Sequence, residues 1–297
     1  MIGPFVDYED NPILTPAEGI QSKAVFNPTV IVDKGVFNML YRAESMHDEL
    51  TGRIMLAHSE DGIRFTPIPN PVIVPENEYE RYGCEDPRIV KFGDLFYLTY
   101  NGAHIWSETL KYYSQACLAT SEDLLHWKKH GPMLEQKMGS WCWMGHKSAA
   151  IVPCKLGDRY VMYFEGRGIP GPGRERIGIA YSEDLIHWEA DLSGPVLLPR
   201  EDSFDSKGLE PGCALVIEEG ILLIYNSWSW ENIFRPGWAL FSKQQPNKLI
   251  ARCAEPLLDR EEEIIFTEGL IKSGERWFLY YGLNDKVIHL AICRGSV

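Results

Sequence analysis

The sequence predicts an all-β fold, a five-bladed β-propeller with a central axial funnel, spanning residues 1–297 as one domain. Three observations predict it. A segment that opens on a polar residue and runs into strands recurs five times, at Asn27, Glu85, His146, Glu210 and Glu268, with starts 58, 61, 64 and 58 residues apart. Each copy holds short apolar runs divided by turn residues, as a propeller blade does. No stretch shows a convincing helical period. A β-sandwich would also give regular turns, but not a fivefold period with matching third strands.

Taken in order, each unit begins with two runs joined by a tight turn. The turns are Asp33-Lys34-Gly35, Phe92-Gly93-Asp94, Leu156-Gly157-Asp158, Glu219-Gly220 and Ser273-Gly274-Glu275, and the runs beside them read as β-hairpins. A third strand follows at residues 53–58, 115–120, 176–181, 238–241 and 287–292. After the first three of these come Ser59-Glu60-Asp61-Gly62, Ser121-Glu122-Asp123-Leu124 and Ser182-Glu183-Asp184-Leu185. An aromatic then opens a fourth strand, at Phe65, Trp127 and Trp188.

Composition narrows the partners. The chain carries 29 Lys plus Arg against 42 Asp plus Glu, a net charge of −13. Such a chain repels a phosphate backbone, so no nucleic-acid partner is expected. No apolar run approaches the roughly 20 residues of a membrane-spanning helix, and the start lacks the basic and apolar regions of a secretory signal. No membrane partner and a cytoplasmic location are therefore expected. Seven scattered cysteines without a CxxC spacing fit reduced thiols. No HExxH or clustered histidine spacing appears, so neither metal nor cofactor is expected. The sequence leaves homo-oligomer formation open.

In a propeller the innermost strand of every blade lines the channel, so equivalent positions form a ring. One ring is Asn27, Glu85-Asp86, His146-Lys147, Glu210 and Glu268. A second comes from the ends of the second strands: Tyr41-Arg42, Tyr100-Asn101, Phe164-Glu165, Tyr225-Asn226 and Tyr281-Gly282. Charges and amides crowded into one funnel must be solvated, paired or used, and concave sites with converging polar groups are where ligands bind. Trp141, Trp143, His104, Trp106, Trp228, Trp230, Phe234 and Trp238 add flat faces suited to sugar rings, although about half of the tryptophans are expected to pack between blades. Glycoside cleavage needs an acid for the leaving oxygen, and inverting hydrolysis needs a base across the sugar; Asp86, Glu165, Glu210 and Glu268 are the candidates.

The run Cys84-Glu85-Asp86-Pro87-Arg88-Ile89, with Tyr41-Arg42, Lys147, Glu210-Pro211-Gly212 and Thr267-Glu268-Gly269-Leu270, resembles glycoside hydrolase family 130. That family comprises β-mannoside phosphorylases and β-1,2-mannosidases on five-bladed propellers. The resemblance implies that Asp86 is the general acid, delivering its proton through the 3-hydroxyl of the −1 mannose. It also implies that Arg42, Asn101 and Lys147 hold that sugar while Arg88 orients the acid. Asn27, Glu85, His146, Asn226, Glu268 and Tyr281 complete the expected binding set for a β-mannoside oligosaccharide. The family's phosphorylases carry basic residues for phosphate where this chain has Phe164-Glu165 and Tyr225-Asn226. Glu165 and Glu210 imply instead the mannosidase branch, sharing the base role toward water. The expected activity is an inverting, exo-acting hydrolase that releases mannose from β-mannosides, β-1,2-linked. The alternative is a β-mannoside phosphorylase yielding α-mannose 1-phosphate, because Arg167, Arg174 and Arg176 lie in a nearby Gly/Pro-rich loop.

Other chemistries fit less well. Ser148, in Met144-Gly145-His146-Lys147-Ser148, lacks the strand-turn-helix setting of a serine nucleophile. The loop from Gly166 to Gly173 is followed by a strand, not a helix, so it reads as a lid or blade insertion at the pocket mouth rather than a phosphate loop. A non-catalytic carbohydrate-binding propeller has no use for several unpaired carboxylates around one sugar. A five-bladed glycosidase acting on arabinan or fructan is disfavoured by the Cys84–Ile89 run and Tyr41-Arg42.

Overall fold

The computed structural model describes residues 2–104, 113–168, 175–260 and 263–295. The first strand, β1 (Val6–Asp7), finds its partner only at the far end of the chain. Blade 1 is β2 (Ala24–Asp33), β3 (Val36–Glu44), β4 (Arg53–Ser59) and β5 (Thr66–Pro67), and blade 2 is β6 (Gly83–Phe92), β7 (Leu95–His104), β8 (Tyr113–Ser121) and β9 (Lys128–Pro132). Blade 3 is β10 (Gly145–Ile151), β11 (Tyr160–Arg167), β12 (Arg176–Ser182) and β13 (Glu189–Ala190). Blade 4 is β14 (Gly208–Val216), β15 (Ile221–Trp228), β16 (Phe234–Phe241) and β17 (Leu249–Arg252). Blade 5 is β18 (Ile265–Ser273), β19 (Arg276–Leu283) and β20 (Val287–Arg294), with β1 as its outer strand. The protein is a five-bladed β-propeller.

Closure is the element that the repeat pattern does not announce. Unit five has no fourth strand of its own; Val6 and Asp7 pair with Ile292 and Ala291 to supply it. Ile2 and Phe5 are buried with Leu222, Trp277 and Leu279, which seals blade 5 against blade 4. The third strand of blade 4 also starts four residues earlier than the apolar run at Trp238 suggests. Pro236 can sit there because β17 pairs only with the later part of β16, from Ala239 onward, so no ladder bond from that side is lost.

Strand alternation puts one face of each sheet against the next blade. Met39, Tyr41 and Met55 of blade 1 pack with Phe278, Tyr280 and Leu290 of blade 5, and Tyr163 and Ile177 of blade 3 with Leu223, Tyr225 and Phe241 of blade 4. Each such side chain contributes about 1.5–3 kcal/mol on burial. A tyrosine near the end of β3, β7, β15 and β19 adds a hydrogen bond that ties each blade to an outer segment. Tyr41 donates to Gln21 (2.8 Å), Tyr100 to Glu80 (2.7 Å), Tyr225 to Asp205 (2.8 Å) and Tyr281 to Asp7 (2.6 Å).

The Ser-Glu-Asp repeats are corners at the ends of β4, β8 and β12. The hydroxyls of Ser59, Ser121 and Ser182 accept the backbone N–H of Gly62, Leu124 and Leu185, each at 2.9 Å. Asp123 and Asp184 accept the N–H groups of residues two and three positions on and hold His126 and His187 at 2.7 Å. Those histidines are structural and exposed. No helix among the described residues is long and apolar enough to cross a membrane.

Candidate active site

The first strand of every blade breaks register near its inner start: between Phe26 and Thr29, Glu85 and Arg88, Lys147 and Ala150, Pro211 and Cys213, and Thr267 and Gly269. An extra residue in one strand bends it and re-aims a side chain. In blades 1 to 3 that residue is Asn27, Asp86 or Ser148, held at φ 49°, 50° and 55°. A left-handed conformation costs a non-glycine residue about 1–2 kcal/mol, least for Asn and Asp, and such strain gathers at functional sites.

Asp86 is the best-held group of the funnel. One oxygen accepts from Asn27 Nδ2 (2.7 Å) and faces Arg42 (3.3 Å), and the other accepts from Asn101 Nδ2 (3.1 Å). Burial works to raise its pKa, but the charges of Arg42, Lys147 and Arg88, with the Asn27 bond, hold the carboxyl below the usual range. Arg42 also reaches Glu44 (2.8 Å) and Glu85 (3.3 Å), so it fixes three acidic groups at once.

Arg88 holds Asp86 by its backbone carbonyl, not by its carboxylate, and ties blade 2 to blade 4. Its guanidinium donates to the carbonyls of Asp86 (2.8 Å), Pro211 and Gly212 (both 3.0 Å) and to Glu210 (3.1 Å). Glu268 lies 3.0 Å from the same nitrogen and is completely buried. Neither of its oxygens has a hydrogen-bond partner among the described residues. Burial holds this carboxyl well above its ordinary pKa, with Asp86 and Glu210 adding to the shift against Arg88.

Lys147 stands on the mouth side, its side chain 30% exposed, between Glu210 (3.1 Å) and Glu165 (3.4 Å). Ser148 Oγ also donates to Glu210 (3.1 Å). Burial pushes the Glu165 carboxyl up to about 8, with Glu210 reinforcing and Lys147 opposing. A cavity of about 230 Å³ opens here, lined by Ser114, Gly145, Lys147, Glu165, Arg167, Glu175 and Trp228. Gly208 makes room for that tryptophan, since a Cβ would fall 2.3 Å from its ring.

The structure thus brings together Asn27, Arg42, Glu85, Asp86, Arg88, Asn101, Lys147, Glu165, Glu210 and Glu268. Three expected residues stay outside. Tyr281 is a core residue whose hydroxyl points to Asp7, because alternation gives the funnel-facing place to Gly282, the counterpart of Arg42. Asn226 is turned onto the next blade, its amide bonded to both the N–H (2.8 Å) and the carbonyl (3.0 Å) of Thr267. His146 is buried edge-on to Phe164, one residue from Lys147 on the opposite face of β10, where burial lowers its pKa to about 4. Trp141 stacks on Phe164 and Trp238 packs in the interblade core. Trp106, Arg174 and most of the loop that ends at Gly173 lie outside the described residues.

Sequence reasoning weighed Ser148 only as a nucleophile and passed over Asp285. Ser148 is the third member of the bulge series after Asn27-Pro28 and Asp86-Pro87; aligning the repeats there rather than at His146 exposes it. Asp285 sits in the Asn284-Asp285 turn of blade 5, with φ 49°. The residue is exposed, but the protein mass around its carboxyl raises its pKa by desolvation, with Asp86 and Glu44 adding to the shift and Arg42 opposing it.

A propeller whose successive blades bring an aspartate and several glutamates together with Arg42, Arg88 and Lys147 near its axis has the construction of a glycoside-active enzyme. Residues 9–295 match the family model for glycoside hydrolase family 130, described as beta-1,4-mannooligosaccharide phosphorylase. The chain belongs to that family. It is 32% identical over 300 residues to a 1,2-beta-oligomannan phosphorylase of Thermoanaerobacter sp. (strain X514), covering 95% of each chain. It is 31% identical over 308 residues to a beta-1,2-mannobiose phosphorylase of the same strain, again covering 95% of each. A solved structure superposes with a TM-score of 0.85 at 28% identity, over 100% of this chain and 97% of the other. That structure accompanies the statement that this family of mannoside phosphorylases contains hydrolases targeting beta-1,2 mannosidic linkages in Candida mannan.

Proposed function

We propose that this protein removes the terminal residue of β-1,2-linked mannosides with inversion and passes it to phosphate. The observation that carries the reading is Asp86, held in a left-handed conformation and bonded to Asn27, Arg42 and Asn101 among charged side chains from successive blades. The salt bridge of Arg88 to Glu268 across the axis suits exo-cleavage, and in this reading Asp86 is the acid that protonates the leaving oxygen, by way of the 3-hydroxyl of the terminal mannose. The names of the full-length relatives support phosphate as acceptor. The cavity lined by Lys147, Glu165, Arg167 and Glu175 is compatible with it: Lys147 and Arg167 supply cations, paired with Glu210 and Glu175, and burial pushes the Glu165 carboxyl up to about 8, which weakens its repulsion of an anion at neutral pH. An anion against Lys147 offsets a charge that holds Asp86 down and so favours its protonated, acidic form.

Hydrolysis is the second reading, favoured by Glu165 and Glu210 flanking Lys147 where the sequence comparison leads one to expect cations. Products separate the two. With β-1,2-mannobiose and inorganic phosphate, phosphorolysis gives α-mannose 1-phosphate and mannose in equal amounts and stalls without phosphate. Free mannose alone, at a rate indifferent to phosphate, establishes hydrolysis and overturns the phosphate reading. The pH profile gives an independent sign. Ionisation of Glu165 adds negative charge beside the phosphate, so phosphorolysis falls as pH rises through about 8, whereas hydrolysis using Glu165 as base rises through the same range.

A further inference from the structure

We infer that the rim of blade 4 carries a subsite for the part of the oligosaccharide beyond the scissile bond, with the indole of Trp230 as its platform. The inference rests on the proposed β-mannoside activity and extends it to chain length. Arg88 and the completely buried Glu268 block the floor, so whatever remains attached to the terminal sugar leaves through the mouth. The mouth is built from the starts of the first strands and the ends of the second strands. Trp230 follows the end of β15 there, two residues past Trp228, which itself lines the cavity beside Lys147.

Trp230 is 62% exposed, and among the described residues it is the one aromatic counted with the exposed large apolar side chains. Burying no core and left in water, so large a ring needs a reason. It is also held rather than loose. Lys207 Nζ sits 5.8 Å from the ring centroid and donates to Asn232 Oδ1 (2.5 Å), which anchors the turn that carries the indole. A groove of about 650 Å³ runs under the ring, with Phe204 and Pro256 on its apolar side and Ser206, Arg235, Glu255 and Asp259 offering donors and acceptors. Arg235 is fixed to Asp259 at 2.7 Å. A flat aromatic face with polar groups around its edge matches a pyranose, whose C–H face packs on the ring while its hydroxyls reach the rim.

Position selects the sugar. Glu210 faces Asn226 across the β14–β15 ladder, and Trp230 lies four residues farther along, in the turn past the end of β15 at Trp228. The platform therefore stands outward of the ladder that holds Glu210, and we assign it to the chain beyond the immediate leaving residue. Disaccharides should not feel it.

The test is Trp230→Ala, with Trp230→Phe as the conservative control, assayed on β-1,2-mannobiose and β-1,2-mannotetraose. The expected result is unchanged kcat/KM on the disaccharide and a threefold to tenfold loss on the tetrasaccharide, the scale of one aromatic packing contact, largely restored by phenylalanine. Equal losses on both substrates, or none on either, overturn the subsite. Calorimetric titration of mannotetraose into the Asp86→Asn variant, with and without Trp230→Ala, reads binding apart from turnover. If the wild-type protein cleaves nothing yet Trp230→Ala weakens tetrasaccharide binding, the activity reading fails and the subsite stands. Absence of tetrasaccharide binding, or binding that is indifferent to Trp230, removes the subsite.

Discussion

Asp86 shows how much of the chemistry depends on a single backbone angle. At φ 50° its carboxyl leaves the plane of the sheet and meets Asn27, Arg42 and Asn101. Asp86→Asn keeps the shape and removes the proton, so turnover should fall by about 100-fold or more while thermal unfolding stays close to wild type; near-normal turnover removes Asp86 from the mechanism. Glu165 makes a complementary case. Its limb near pH 8 should vanish from the rate profile of Glu165→Gln, and a limb that survives belongs to another group. Much at this scale was legible because type and spacing coincide: Asp86, Glu165, Glu210 and Lys147 converge as the repeat register implies. Charge state was not legible. Glu165 reads as an extra negative charge in the sequence, but burial beside Glu210 pushes its carboxyl up to about 8 against Lys147, which weakens that charge at neutral pH.

Two asparagines at equivalent places in β7 and β15 divide the work of the elements. Asn101 gives one amide end to Asp86 and the other to the Ser148 N–H (2.8 Å), whereas Asn226 spends both ends on the Thr267 backbone. Asn101→Ala should therefore lower kcat through the acid. Asn226→Ala should leave KM near wild type and cost about 1–3 kcal/mol in chemical denaturation, the penalty of unpaired buried backbone groups. The reverse pattern would show that the roles are misassigned. Hairpins, turns and third strands were readable from their apolar runs and glycines. The bulges were not, since Asn27-Pro28 and Asp86-Pro87 look like strand starts and Ser148-Ala149 looks ordinary. Misplacing the third bulge by two residues put His146 in the funnel and left Ser148 out. Tyr281 failed for a related reason, since the aromatic at this place in every blade, Tyr41, Tyr100, Phe164, Tyr225 or Tyr281, is buried in the core.

At the scale of the whole molecule the ring holds because its ends meet. Asp7 pairs with Arg260 and accepts from Tyr281, while Ile2 and Phe5 enter the core between blades 4 and 5. Deleting residues 1–10 should lower the melting temperature and expose blade 5 to early proteolysis; unchanged melting would show that closure contributes little. Five repeats made the architecture readable, but a strand contributed by the opposite terminus leaves no periodic trace beside the unit it completes. The claim that joins all scales is that a β-mannoside occupies this funnel. A crystal structure of the Asp86→Asn variant soaked with β-1,2-mannobiose tests it most directly. The account predicts a terminal mannosyl ring against position 86, within hydrogen-bond distance of Arg42, Asn101 or Lys147. Ordered disaccharide on another face of the propeller, with the funnel filled only by solvent, would contradict it.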